Sequence, residues 1–456
     1  MTAQLTVFRG HRVVSERGFG PASVHVRAGV VERVEDVDDV PRGAQVVDVG
    51  HLVLMPGLVD THVHVNEPGR GDWEGFDTAT RAAAAGGVTT ILDMPLNSIP
   101  ATTSVDALEA KRRAARDRCW VDVGFIGGVV PGNAAELAPL HAAGVLAFKC
   151  FLVPSGVPEF EHVTEHDLRA ALPELARLGA VLMVHAELPQ PIEAALPRVA
   201  GMDPRTYRAW RRSRPRTSEN DAVRLVAELA REFGARMHVV HLSSHEAVQL
   251  LRTARRAGAP VTAETCPHYL HFISDTVPDG ATQFKCAPPI REHVDRELLW
   301  SALRDRVVTM IVSDHSPAPP ELKTRRGDFF QSWGGIASLE LGLAAVWTEA
   351  RRRNYEPPAL ARWMSEQPAQ LVGLGHRKGR IAPGYDADFC LWRPDGEVKV
   401  RPEKLEQRHK LTPYAGETLF GRVEATYLGG IPVFERKEIR GEPRGRLLRG
   451  AGETPR

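Results

Sequence analysis

Two histidines, His62 and His64, stand two residues apart at the end of an apolar run entered through Pro56 and Gly57. In a strand, side chains two apart point the same way, so both imidazoles can reach one metal ion from its carboxyl end. On its own a His-x-His pair also fits a half-buried strand with no metal. Four more polar residues change the balance, because Lys149, His185, His241 and Asp314 each fall at the end of a further apolar stretch. Six such groups gathered at one mouth are costly to bury unless they pair with one another or hold a metal. Lys149 is the odd member, since an ammonium repels cations. It is either ion-paired, with Asp314 or Asp93 as partner, or it is a desolvated neutral amine that takes up carbon dioxide. The resulting carbamate offers two oxygens, enough to bridge two metal ions, and the residue types leave both readings open.

Positioning these groups requires eight strands, expected at 54–62, 88–94, 121–127, 145–151, 180–185, 237–241, 260–265 and 307–313. Helical segments are expected between them, at 74–85, 105–118, 134–143, 165–178, 220–233, 245–257 and 296–304, with start signals at Thr164 to Asp167 and Ser218 to Asp221. Apolar strands alternating with helices imply a parallel sheet, and eight such units point to a closed α/β barrel of the TIM type. Long insertions at 188–216 and 267–290 are placed to shape a pocket. Short β runs at both chain ends, 1–54 and 376–456, suggest one composite β-sandwich unit beside a barrel spanning 55–375. The Arg- and Gly-rich stretch 436–456 reads as an extended arm or a frayed tail.

The 58 basic and 57 acidic residues nearly cancel, which gives no electrostatic case for nucleic acid or an anionic membrane. A small, neutral or weakly charged ligand fits better. No apolar run approaches the roughly 18 residues of a spanning helix, and no basic-then-apolar leader opens the sequence, so a cytoplasmic location is expected. Five cysteines without Cys-x-x-Cys spacing indicate neither a disulfide framework nor a thiolate zinc cluster.

The run Pro56-Gly57-Leu58-Val59-Asp60-Thr61-His62-Val63-His64 resembles the signature of the cyclic amidohydrolases, the family of dihydroorotases, hydantoinases and allantoinases. Gly86 to Thr90, Asp93 to Asn97, Ser313-Asp314-His315 and Gly379 to Asp388 recur in that family's order, so the resemblance covers nearly the whole chain. Within it, Asn66 to Arg70 with Asp72 to Gly75, Phe148 to Gly156 and Lys285 to Arg291 look like the allantoinase branch. Dihydroorotases carry a substrate-binding arginine where this chain has Asn66, and hydantoinases a pocket tyrosine where it has Pro154, with Ser155 beside it.

The resemblance implies that His62, His64, Lys149 and Asp314 hold one divalent metal and Lys149, His185 and His241 a second, with a hydroxide shared between them. Zinc comes first, manganese or cobalt being alternatives, and carbon dioxide carboxylates Lys149. Asp314 takes the proton of the attacking water and passes it to the leaving nitrogen. Asn97, Ser155, Ala287 and Gly335 are the expected substrate contacts, with His268 and His315 orienting ligands. The implied reaction opens the ring of allantoin to allantoate in purine and ureide breakdown, in a homotetramer. A hydantoinase or dihydropyrimidinase is the alternative.

Overall fold

The computed structural model describes residues 4–450, so positions 1–3 and the last six of the expected arm lie outside the described residues. Eight parallel strands, Leu58–Val63, Val88–Asp93, Asp122–Gly128, Ala147–Phe151, Val181–His185, Arg236–Val239, Val261–Thr265 and Met310–Ile311, pair with their neighbours in chain order. The first five are buried along their whole length. That is why they read as unbroken apolar runs rather than alternating ones: helices cover one face and the interior fills the other. The eighth strand is tied back to the first. Val63 bridges His315, the His64 N–H donates to the His315 carbonyl at 2.8 Å, and the Asp60 carboxylate accepts from the amides of His62 and Ser313 at 3.1 and 3.0 Å. The barrel is therefore closed.

Of the two helix starts expected from polar signals, one is used as expected. Thr164 caps Glu165–Leu178 and Asp167 completes the capping box. The second signal misleads: Pro215 supplies the extended entry residue, the helix runs Arg216–Phe233, and Ser218 lies inside its first turn. Glu219 instead accepts from the amides of Ser243 and Ser244 and pairs with Arg291 at 3.0 Å, binding the wall of the site together.

Strands from both chain ends form a second eight-stranded sheet in the order Glu438–Ile439, Ile431–Glu435, Thr418–Leu428, Phe389–Lys399, Gln45–Pro56, Thr6–Ser15, Gly18–Arg27, Val30–Glu35. It is antiparallel except where Thr6–Ser15 runs beside Gln45–Pro56. The latter passes into the first barrel strand through Gly57, where a Cβ would meet Thr89 Oγ1 at 2.2 Å, so only glycine fits. At the amino end of the barrel, Lys378 lies among Asp122, Asp386 and Asp388, with Arg377 on Asp386, so an ammonium fills the place a cation could take. The arm is not frayed as far as Gly450. Gly445 and Leu448 donate to the carbonyls of Cys119 and Val123 at 2.8 Å, Leu448 is buried, and Arg446 reaches Asp386. Among the described residues no helix is long and apolar enough to cross a membrane.

Candidate active site

The carboxyl ends of the barrel strands bring the six chemical residues together. His62 lies in the first strand with His64 just beyond it, Lys149 in the fourth, His185 closes the fifth, and His241 and Asp314 follow the sixth and eighth. His241 and Asp314 both hold left-handed backbones, at φ 40 and 47. Such strain in non-glycine residues gathers where function over-determines the geometry. The His62 Nε2 is 3.3 Å and the His64 Nε2 3.9 Å from Asp314 Oδ1, while the His241 ring centre lies 5.4 Å from that of His62 and 4.6 Å from that of His185.

Lys149 is fully buried and its Nζ has no hydrogen-bond partner. Asp93, one acid expected beside it, pairs with Lys111 at 2.7 Å. Among the described residues no carboxylate, Asp314 included, is in direct ion-pair contact with Lys149, and Glu264 and Asp314 act on it only at longer range. Its nearest aromatic neighbour is the Phe151 ring, 4.9 Å away. Burial pushes the amine below its ordinary range, against the pull of Glu264 and Asp314, and pushes the Asp314 carboxyl up against the pull of Lys149.

Burial also holds His62, His64 and His241 well below the usual imidazole range, and lowers His185 to about 4. Four neutral rings thus offer lone pairs at physiological pH. His62, His64 and Asp314 present ligand atoms within 4.8 Å of one another. Nδ1 of His64 and of His241, like Lys149 Nζ, are buried without a partner. Polar atoms buried in proteins usually find a partner, and three unpartnered nitrogens gathered with further imidazoles and an acid at one mouth fit divalent ions bound among them.

Two acids that the sequence reading passed over orient the rings. Glu264 accepts from His62 Nδ1 at 2.6 Å and holds His238 Nε2 at 3.0 Å; Glu187 holds His185 Nε2 at 2.8 Å and is itself clamped by Arg214 at 3.0 and 2.6 Å. A carboxylate behind a ligating imidazole fixes its tautomer and raises its basicity. The signal was available for Glu187, two positions beyond His185. Glu264 meets His62 across 202 positions, and only the barrel brings them together.

Above the rings opens a cavity of about 380 Å³. Asn97, Ser155, Ala287 and Gly335 all line it, as do His62, His64, His185, His241 and Asp314, while Lys149 lies beneath. The Ser155 hydroxyl donates back to the carbonyls of Phe160 and Val157, so that residue shapes the loop with its proton already committed. Gly335, at φ 110, would drive a Cβ into the Ser316 carbonyl at 2.2 Å. His268 is buried with neither nitrogen bonded, its ring against Tyr269. His315 bonds Glu74 and the Ser338 amide and meets a ligand only through its backbone.

Asn66 is placed differently from its sequence-based reading as a pocket residue. It is fully buried behind Asn97, its Oδ1 accepting from Asn97 Nδ2 at 3.0 Å, with its backbone at φ 68. Asn66→Arg should therefore act through Asn97: a buried cation in a left-handed position displaces the amide, lowering kcat/KM at least tenfold and the melting temperature with it. Unchanged kinetics and unfolding would show that the pair does not position the cavity wall.

Comparison with known proteins agrees with this geometry. The description "Amidohydrolase family" matches residues 53–431. A Streptomyces avermitilis protein named allantoinase is 50% identical over 443 residues, 97% of this chain and 98% of that one. The Saccharomyces cerevisiae allantoinase is 46% identical over 391 residues, 85% and 84% of the two chains. Among solved structures, L-hydantoinase (dihydropyrimidinase) from Arthrobacter aurescens superposes with a TM-score of 0.94 at 30% identity, covering 98% of this chain and 100% of that one.

Proposed function

The chain belongs to the amidohydrolase family, and from that premise we propose that it is an allantoinase, opening the cyclic amide of allantoin by hydrolysis to allantoate in purine and ureide breakdown. The observation that carries the reading is the convergence of four neutral imidazoles and an acid on one small cavity, with a buried lysine that has no hydrogen-bond partner close by. The choice of substrate rests on relatives named allantoinase that match nearly the whole chain at 40–50% identity. The hydantoinase alternative draws on a structure that is closely superposable but less similar in sequence.

His62, His64, Lys149 and Asp314 would hold one divalent ion, and Lys149, His185 and His241 the other. When bound, these ions supply Lewis acidity at the ring carbonyl and acidify the water that attacks it. Lys149, carboxylated at Nζ by carbon dioxide, presents two oxygens in place of a cation. Asp314 accepts the water's proton and returns it to the leaving ring nitrogen. Asn97, steadied by Asn66, faces the neutral ring together with the cavity wall at Ala287 and Gly335. Glu264 and Glu187 keep the rings turned toward the reacting centre.

Zinc suits the imidazole-rich set, with manganese or cobalt able to replace it. Five free, buried cysteines fit a reducing compartment, which supports a cytoplasmic location. A homotetramer is part of the same proposal, as the assembly that the family resemblance implies. Steady-state assays of the metal-replete protein with allantoin, hydantoin, dihydrouracil and dihydroorotate in parallel test the assignment. Allantoin should give the highest kcat/KM; a clear preference for hydantoin or dihydrouracil would move the protein to the alternative class.

A further inference from the structure

The outer wall of the cavity carries a cation for which ring opening has no use. Lys285 lines the same space as His62, His241 and Asp314 and is 7% exposed. Its ammonium donates to the Ser332 carbonyl at 2.5 Å and lies 4.3 Å from the centre of the Trp210 ring. Among the described residues no carboxylate is ion-paired with it. The other cation on this wall, Arg214, is already engaged by both oxygens of Glu187. An ammonium has three N–H donors, and burying them unfilled is costly. Trp210 beside it is fixed by an indole N–H donated to the Cys286 carbonyl at 3.0 Å, giving a flat wall next to a donor.

We propose that Lys285 is a specificity residue: with the hydantoin ring over the metal-ligating side chains, it donates to the carbonyl oxygen of the ureido arm, whose plane lies along Trp210. The inference rests on the allantoin reading and deepens it by naming what separates allantoin from a hydantoin without that arm. A urea carbonyl is a strong neutral acceptor, which suits an ammonium that has N–H donors beyond the one given to Ser332 and, among the described residues, no ion-paired carboxylate. A pocket built to give a hydrogen bond discriminates strongly against an analogue that cannot take it, because the donor is then left buried and unfilled.

The test compares wild type with Lys285→Met, which keeps length and loses the donors, and Lys285→Gln, which keeps a donor. For each, kcat and KM for allantoin, the inhibition constant of unsubstituted hydantoin and the bound metal are measured. Lys285→Met should lose about tenfold to a hundredfold in kcat/KM for allantoin, mainly through KM, with hydantoin affinity within about twofold and metal content unchanged. Lys285→Gln should lie between. Wild type should also prefer allantoin to 5-propylhydantoin, an arm of similar reach with no acceptor, and that preference should shrink in Lys285→Met. Equal losses for allantoin and hydantoin would reduce Lys285 to a prop for the Ser332 loop and overturn the proposal, as would an undiminished kcat/KM for allantoin. If wild type opened hydantoins but not allantoin, the allantoinase reading would fall and this subsite with it. If wild type opened allantoin without preferring it to the propyl compound, only the subsite would fall.

Discussion

Lys149→Ala is expected to be nearly inactive and to bind far less metal, while the barrel still folds. The fold should survive because no hydrogen bond is lost with the Lys149 amine, and the buried carboxyls of Asp314 and Glu264 that face it, both already pushed up by burial, can take up protons in its absence. Its backbone pairing to Met183 in the next strand is untouched. What is lost is the group that can present two oxygens between the His62/His64 and His185/His241 sides of the site. Acetate or propionate, small enough to enter the vacated space, should partly restore both metal content and turnover. An alanine variant with two metals and normal kcat, in buffer free of such acids, would rule out the bridging role.

Asp314→Asn is expected to cost at least as much. The substitution preserves shape but removes the charge of the proposed ligand, which among the described residues is the acid that both faces His62 and lines the cavity. Loss of a general acid–base alone typically costs about 10²- to 10⁴-fold in kcat. Lost metal affinity adds to that, so kcat is measured at saturating metal, with metal content determined on the same sample. Turnover within tenfold of wild type at full metal occupancy would remove Asp314 from the proton path.

The barrel was legible because fully buried parallel strands write themselves as apolar runs, and because the histidines, the lysine and the acid that could hold a metal fall at the carboxyl ends of those runs. His62, His64, Lys149, His185, His241 and Asp314 could all be placed on that pattern, and the cavity collects them or lies directly above them. What escaped were relations between distant segments. Glu264 gave no local sign that it addresses His62, nor His238 that it holds Glu264 from the other side. Asn66 is adjacent to the ligand strand in sequence, yet its left-handed backbone turns it behind Asn97. Ser155 is at the cavity as expected, but its hydroxyl proton is taken up by its own loop. Ser218 looked like a cap until Pro215 set the helix start earlier. The arm read as a possible loose tail is held by carbonyls of residues more than three hundred positions away, at Cys119 and Val123.

The measurement that bears most directly on the central claim is a metal titration of the exhaustively chelated protein, with allantoin turnover and bound metal recorded at each addition. Stripped protein should be inactive, and zinc, manganese or cobalt should restore turnover to a plateau at two ions per chain, whereas calcium, which prefers oxygen ligands, should not. Full allantoin turnover by the stripped protein, or a plateau reached with no metal bound at this site, would contradict the metal mechanism.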